Sequence, residues 1–459
     1  MSKANNEKQT LKKVGLLAIT WPIFIEVFLN TFMRIADIFM LSFVSDEAVA
    51  AIGVVNQMMM FTFVLFNFTA MGSGVVVAQF VGANKLNDVS KTIANAIFIN
   101  LLFGFFISSM IVIFRYQFLD IFHMSQELIE YADIYILIVG GTLFTQAMVM
   151  TLFSVLQAQG FTKEVMYVAL GMNILNIIGN YFVIFGPFEL PTLGVMGVAI
   201  STAVCRALAM VVIFVLLYKK TAVKIKVQDY FKLKKAYVKK ILRIGVPGAG
   251  EHLSHNLSQL TITVFITMLG ADALATRVYT QNLTNFMTVF SLSIAKGMQI
   301  YIGQLVGAGK LEKAYKEMYR GLKIATIVAL GVGAVIAFSG KFLLGFFTDD
   351  ANIIALGSII LFLGMILEPG RTFNLVIISS LRASGDATYP VMVGILSMWG
   401  VSVTLAYLLG LPLGYGLIGV TIGIIVDEWF RGGLMFIRWR SKKWQEKVLV
   451  KEVKPAVSQ

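Results

Sequence analysis

A charged side chain inside a bilayer-crossing helix costs at least about 2.5 kcal/mol, so each one present needs a reason. This chain holds two such groups. The first sits on one face of the first apolar span: Glu26, Asn30, Arg34 and Asp37, at spacings of four, four and three residues. Asp37 is placed to bind a proton or Na⁺. The competing reading is an Arg34–Asp37 ion pair that only stitches helices, with Glu26 bracing a kink at Pro22. Asn173, Asn176 and Asn180 share a face of the fifth span. Their amides can complete a carboxylate site for Na⁺ or a water-linked proton, or simply hydrogen-bond between helices. The second group is Glu251, His252, His255 and Asn256, joined in the second half by Lys296, Glu368 and Arg371. These form a polar patch that binds substrate or relays protons, or a set of paired charges that fixes packing. Asp427, Glu428 and Arg431 read as a structural network.

Other chemistries find little support. Glu251-His252-x-x-His255 lacks the H-E-x-x-H order and a further evident ligand, so no metal site is expected. Gly82-Ala-Asn-Lys85 and Gly307-Ala-Gly-Lys310 lack the spacing of a phosphate loop. No Ser/His/Asp or cysteine-based catalytic set is visible, so the chain is not expected to be an enzyme. The single cysteine, Cys205, excludes an internal disulfide and reads as a small buried residue. No cofactor is expected beyond H⁺ or Na⁺ as a coupling ion.

The elements that carry these residues are membrane helices. The 459 residues are 58% hydrophobic and 14% charged, against roughly 25% charged in a soluble protein. Twelve spans are expected, near 14–41, 49–81, 92–118, 128–157, 165–186, 193–218, 240–268, 276–306, 319–346, 352–381, 389–410 and 416–439. The polar, basic stretch before span 1 argues for an uncleaved insertion signal. A net charge of +13 could suggest nucleic acid, but the lysines and arginines sit in alternate loops and both tails. That is the positive-inside pattern, and it puts both termini in the cytoplasm.

The chain also repeats at an offset of 225 residues: Pro22/Pro247, Glu26/Glu251, Gln79 to Leu86 against Gln304 to Leu311, and Leu156 to Gly160 against Leu381 to Gly385. Six spans per half make the repeat parallel, with its pseudo-twofold axis along the membrane normal. The expected organisation is a six-helix bundle over 1–218, a cytoplasmic linker over 219–243, and a second bundle with a tail over 244–459. The linker, with Tyr230, Phe231, Leu233, Tyr237 and Val238 among lysines, also suits a helix lying on the membrane surface.

Trp21-Pro22, Ile35-Ala-Asp-Ile-Phe39, Ala51-Ile-Gly53 with Asn56-Gln57, Ala78-Gln79 through Gly82, Asn176 to Gly186, Leu193 to Val198, and Leu381-Arg-Ala-Ser-Gly-Asp386 occur in an order that resembles the multidrug and toxic compound extrusion (MATE) family. The resemblance covers nearly the whole chain. It implies two six-helix bundles forming a V, alternating access driven by inward H⁺ or Na⁺, and export of amphipathic, often cationic compounds. Asp37 matches the family's acid on span 1. Three positions depart: Asn180 stands where many members have Asp, His255 near the acid of span 7 in the Na⁺-coupled branch, and Arg371 at that branch's span-10 acid. Glu251 and Glu368 lie close to the last two.

The reading is therefore a secondary active exporter of small amphipathic organic substrates, a cation antiporter working as a monomer in the cell membrane. One rival is a flippase for a lipid-linked precursor, which would use Arg34, Lys296 and Arg371 to hold pyrophosphate. A remoter rival is an intramembrane enzyme.

Overall fold

The structure is a computed structural model that describes residues 15–122, 124–189, 191–221, 229 and 233–450. In lipid every backbone polar group must be satisfied within the segment, so an apolar chain of this kind folds as helices. The long stretches are α1 (Leu16–Leu41), α2 (Asp46–Gly82), α3 (Leu86–Ile113), α4 (Gln126–Gly140 and Leu143–Ala158), α5 (Thr162–Phe185) and α6 (Gly194–Lys220) in the first half. The second half has α7 (Lys235–Thr267), α8 (Ala271–Gly307), α9 (Leu311–Phe338), α10 (Ala351–Ser384), α11 (Thr388–Gly410) and α12 (Gly416–Arg440).

Local chemistry sets several ends. The Ser45 hydroxyl accepts from the Ala48 N–H at the start of α2, where Asp46 and Glu47 suit the positive end of the helix dipole. Asp350 caps α10 through the N–H groups of Asn352 and Ile353. Gly385 ends α10 at φ 98°, a left-handed conformation that favours glycine. The two parts of α4 meet at a bend of 46°.

Eight of the described helices are long and apolar enough to cross a membrane alone, and the bent α4 makes nine. α7, α8 and α12 fall short, and these three carry Glu251, His252, His255, Arg277, Lys296, Asp427, Glu428 and Arg431. Each nevertheless packs as its first-half counterpart does. α1 lies on α5, α5 on α6, and α4 on α2, α3 and α6; α7 lies on α11, α11 on α12, and α10 on α8, α9 and α12. The all-helical, two-lobe architecture expected from the repeat is the one observed.

The lobes meet where α2 packs on α7 and α8, and α1 on α8. The pseudo-twofold relation reaches atomic detail there. A Cβ on Gly82 would lie 2.0 Å from the Gln304 carbonyl oxygen, and one on Gly307 would lie 1.9 Å from that of Gln79. Only glycine allows so close a backbone approach. The Gln79 amide donates to the Ala383 carbonyl at 2.7 Å, and the Gln304 amide to that of Ala158 at 2.9 Å. Each contact is the other shifted by 225 residues. These contacts close the end of the molecule that holds the α2–α3 and α8–α9 turns.

The C-terminal tail joins this closure. Trp444 stacks on Trp439 in the second lobe at 4.3 Å, while the Leu449 N–H donates to the Gln79 side chain at 3.0 Å. At the start of α7, the Lys234 N–H donates to Asn95 at 2.9 Å and Tyr237 donates to Asp88. Tyr230 and Phe231, on which the surface-helix expectation also rested, lie outside the described residues.

Candidate functional site

In the first lobe α1 brings Asp37 to the asparagine face of α5. The Asn180 amide donates to the Asp37 carboxylate at 2.9 Å, a bond linking residues 143 apart in sequence. Asn176 faces the Thr202 and Ser201 hydroxyls of α6 at 3.4 and 3.5 Å. The Asn180 carbonyl oxygen and the Asn173 amide nitrogen are buried without a hydrogen-bond partner among the described atoms. Arg206 on α6 lies within electrostatic range of Asp37 and of Tyr135 on α4. Its Nη1 is buried and unpartnered, and its guanidinium lies 5.9 Å from the Phe63 ring centroid. Arg34 is exposed and forms no salt bridge among the described residues, so the Arg34–Asp37 pair is not made. The cause is geometric: Asp37 turns toward α5, and Arg34 does not follow it.

Glu26 lies three turns away on α1 and is buried. It accepts a hydrogen bond from the Gln157 amide of α4. Lys296 of α8, in the other lobe, lies within electrostatic range of it. Lys296 had been grouped with the second-half patch, and the structure instead sets its charge against the first lobe.

The second lobe is a continuous charge network. Arg371 bonds Glu368 at 2.6 Å and approaches Glu428 at 3.7 Å. Arg431 bonds Asp427 at 2.9 Å and Glu428 at 3.1 Å. Asn374 donates to Glu428 at 3.0 Å, and Ser397 donates to Asp427. His255 lies within electrostatic range of Glu428, Arg431, Arg371 and Glu251, while Arg277 flanks Arg371 and Glu368 and bonds Gln259 at 3.4 Å. Glu251 stands apart, paired with Arg382 of α10. Glu368, Arg371 and His255 thus come together, whereas Glu251 finds its own partner. Among the described residues no group of three or more His, Cys, Asp or Glu side chains is arranged to hold a metal ion.

Comparison with known proteins fits this geometry. A family model described as MatE matches residues 22–182 and again residues 247–408, once per lobe. The chain belongs to the MatE family. It is accordingly a multi-pass membrane transporter. Among curated MatE relatives, an uncharacterized transporter, YisQ of Bacillus subtilis strain 168, is 42% identical over 441 residues, covering 96% of this chain and 97% of its own. A probable multidrug resistance protein NorM of Thermotoga maritima is 26% identical, covering 95% and 94%. Among solved structures, an outward-facing multidrug resistance MATE transporter of the MOP superfamily superposes with TM-score 0.86 at 21% identity, over 95% of this chain and 98% of that one. A MATE transporter in a bent conformation superposes with the same TM-score at 20% identity, over 93% and 94%.

Arg206 and Arg382 escaped the sequence reading. Both could have been found by applying the 225-residue offset to charges as well as to motifs. Arg206 falls on Arg431, and Arg382 falls on Gln157, the partner of Glu26.

Proposed function

We propose that the chain is a secondary active exporter of small amphipathic organic compounds, driven by antiport of H⁺ or Na⁺ through alternating access of the two lobes. One observation carries this reading. Asp37 accepts its hydrogen bond from a neutral amide, as Glu26 does, but it lies beside amide atoms with spare bonding capacity. The acids of the second lobe are held in ion pairs. An ion drives a conformational equilibrium only by binding one state better than the other. An acid free to exchange its partner can do so; an acid fixed between arginines cannot do so cheaply. The Thermotoga maritima NorM relative and the outward-facing MATE neighbour carry multidrug resistance in their names, which supports the substrate class.

The positive-inside bias of the basic loops supports a cytoplasmic location for the closed end. On that reading the conformation is closed to the cytoplasm, and transport requires the Gln79–Ala383 and Gln304–Ala158 contacts to part. The flippase alternative needs a cationic cavity for pyrophosphate, but Arg371 is matched by Glu368, and Lys296 faces Glu26.

The test is export of a fluorescent amphipathic dye from proteoliposomes under separately imposed pH and Na⁺ gradients. One of the two gradients, imposed alone, should drive efflux. Efflux that ignores both gradients and requires a nucleotide or no energy source would end the antiporter reading.

A further inference from the structure

The 225-residue offset relates two buried acids and the positions that partner them, and the cation comes from a different element in each. In the second lobe, Glu251 of α7 pairs with Arg382 of α10. In the first lobe, Glu26 of α1 bonds Gln157 of α4. Both acids lie 131 residues from their partners, so the two sites are the same site built twice. The third member comes across the lobe boundary in both. Beside the Glu251 pair it is Met71 of α2, whose sulfur lies 3.9 Å from Arg382 Nη1 and whose terminal methyl would meet a Cβ on Gly248 of α7 at 1.9 Å. The offset turns Met71 into Lys296 of α8. Lys296 is anchored at the boundary by its neighbours. A Cβ on Gly297 would lie 2.3 Å from the Thr20 hydroxyl of α1, and Phe290 stacks on Phe24 of α1 at 4.4 Å. Lys296 makes no ion pair within 4.0 Å among the described residues, and its charge lies within electrostatic range of Glu26.

The cation of the second site is therefore supplied by the lobe that owns the acid, and the cation of the first site by the opposite lobe. An ion pair confined to one lobe is indifferent to lobe movement. A pair that crosses the boundary is not, because separating the lobes strands a buried carboxylate, which is costly.

We propose that Lys296 is a positioning residue of the transport cycle: it closes a charge latch with Glu26 across the lobe boundary, favouring the state shut at the basic-loop end. The proposal rests on the alternating-access reading above but not on Asp37 or on the identity of the ion.

The second lobe supplies the test, because it shows how the first would look without the latch. Gln157→Arg with Lys296→Met copies the Glu251 arrangement into the first lobe, preserving both charge balance and a packing solution the protein already uses. Nitroxide labels at Asn87 and Lys313, exposed positions on opposite lobes at the closed end, report the separation by pulsed EPR in proteoliposomes without substrate, with Cys205→Ala to remove the native thiol. The double variant should raise the population of the long-distance component about fivefold or more, the lower range of allosteric coupling. Lys296→Arg should retain the wild-type distribution. The reciprocal change, Met71→Lys with Arg382→Gln, adds a second crossing pair and should deplete the long component.

A folded Gln157→Arg/Lys296→Met protein with the wild-type distribution, in a background where the wild type opens under an imposed gradient, overturns the latch and leaves the antiporter reading standing. A single short distance in every variant and under every gradient overturns alternating access and the latch with it.

Discussion

Arg206 and Arg431 occupy the same place in the two lobes, 225 residues apart, yet live differently. Arg431 bonds Asp427 and Glu428, one turn away on its own helix. Arg206 has Thr202 and Ala203 at those positions, and one of its nitrogens is buried with no partner. Asp37, within its electrostatic range, is held instead by Asn180. Among the described residues, the second lobe holds its acids Glu251, Glu368, Asp427 and Glu428 in ion pairs, although Arg431 Nε and Glu368 Oε2 are also buried without a hydrogen-bond partner, and the first keeps Arg206 and Asp37 outside any ion pair. One backbone plan thus carries a braced lobe and a lobe with room to change state, which motivates the assignment of ion coupling to the first.

The largest effect that would sharpen the contrast is on stability. Arg431→Met leaves Asp427 and Glu428 buried without their cation, and should cost about 3–5 kcal/mol. Thermal unfolding in detergent, or the folded yield where unfolding is irreversible, reads this directly. Arg206→Met should behave oppositely: it removes a poorly satisfied buried group, so stability should change by less than about 1 kcal/mol while transport falls. Equal destabilisation by the two substitutions would erase the distinction between the lobes.

The backbone should show no such asymmetry. Gly82→Ala and Gly307→Ala each drive a methyl into a carbonyl of the other lobe, at 2.0 and 1.9 Å. Each should destabilise the closed state by about 1–3 kcal/mol, and by matching amounts, read as opening between the Asn87 and Lys313 labels. A large difference would mean that the pseudo-twofold relation fails at the boundary. The smallest effect concerns orientation alone. Thiol reagents applied outside intact cells should label Glu47→Cys and spare Asn87→Cys, and the reverse pattern would invert the topology drawn from the lysines.

Much of this was legible in the sequence because membrane helices are written in apolar length and repeats in fixed spacing. The offset that aligns Gln79 with Gln304 also relates the hydrogen bonds they make to Ala383 and Ala158 in the structure. Partners across helices were less accessible. Sequence placed Arg34 one turn from Asp37, but a helix face does not say which side chain a neighbouring helix will claim, and Asn180 claims Asp37. Lys296 was grouped with the second half because it lies there in the chain, whereas the interface of α8 with α1 turns its charge to Glu26. The surplus of polar groups in α7, α8 and α12 hid those helices from a test of apolarity, although the repeat still located them.

The central claim is that the ion acts on the first lobe. The most direct test compares Asp37→Asn with Glu368→Gln in proteoliposomes, each verified as folded and inserted, under the gradient that drives the wild-type protein. Asp37→Asn should reduce gradient-driven efflux to background, while Glu368→Gln, once corrected for the amount of folded protein, should retain it. Undiminished efflux by Asp37→Asn together with its loss in Glu368→Gln would move the coupling site to the second lobe and contradict the account.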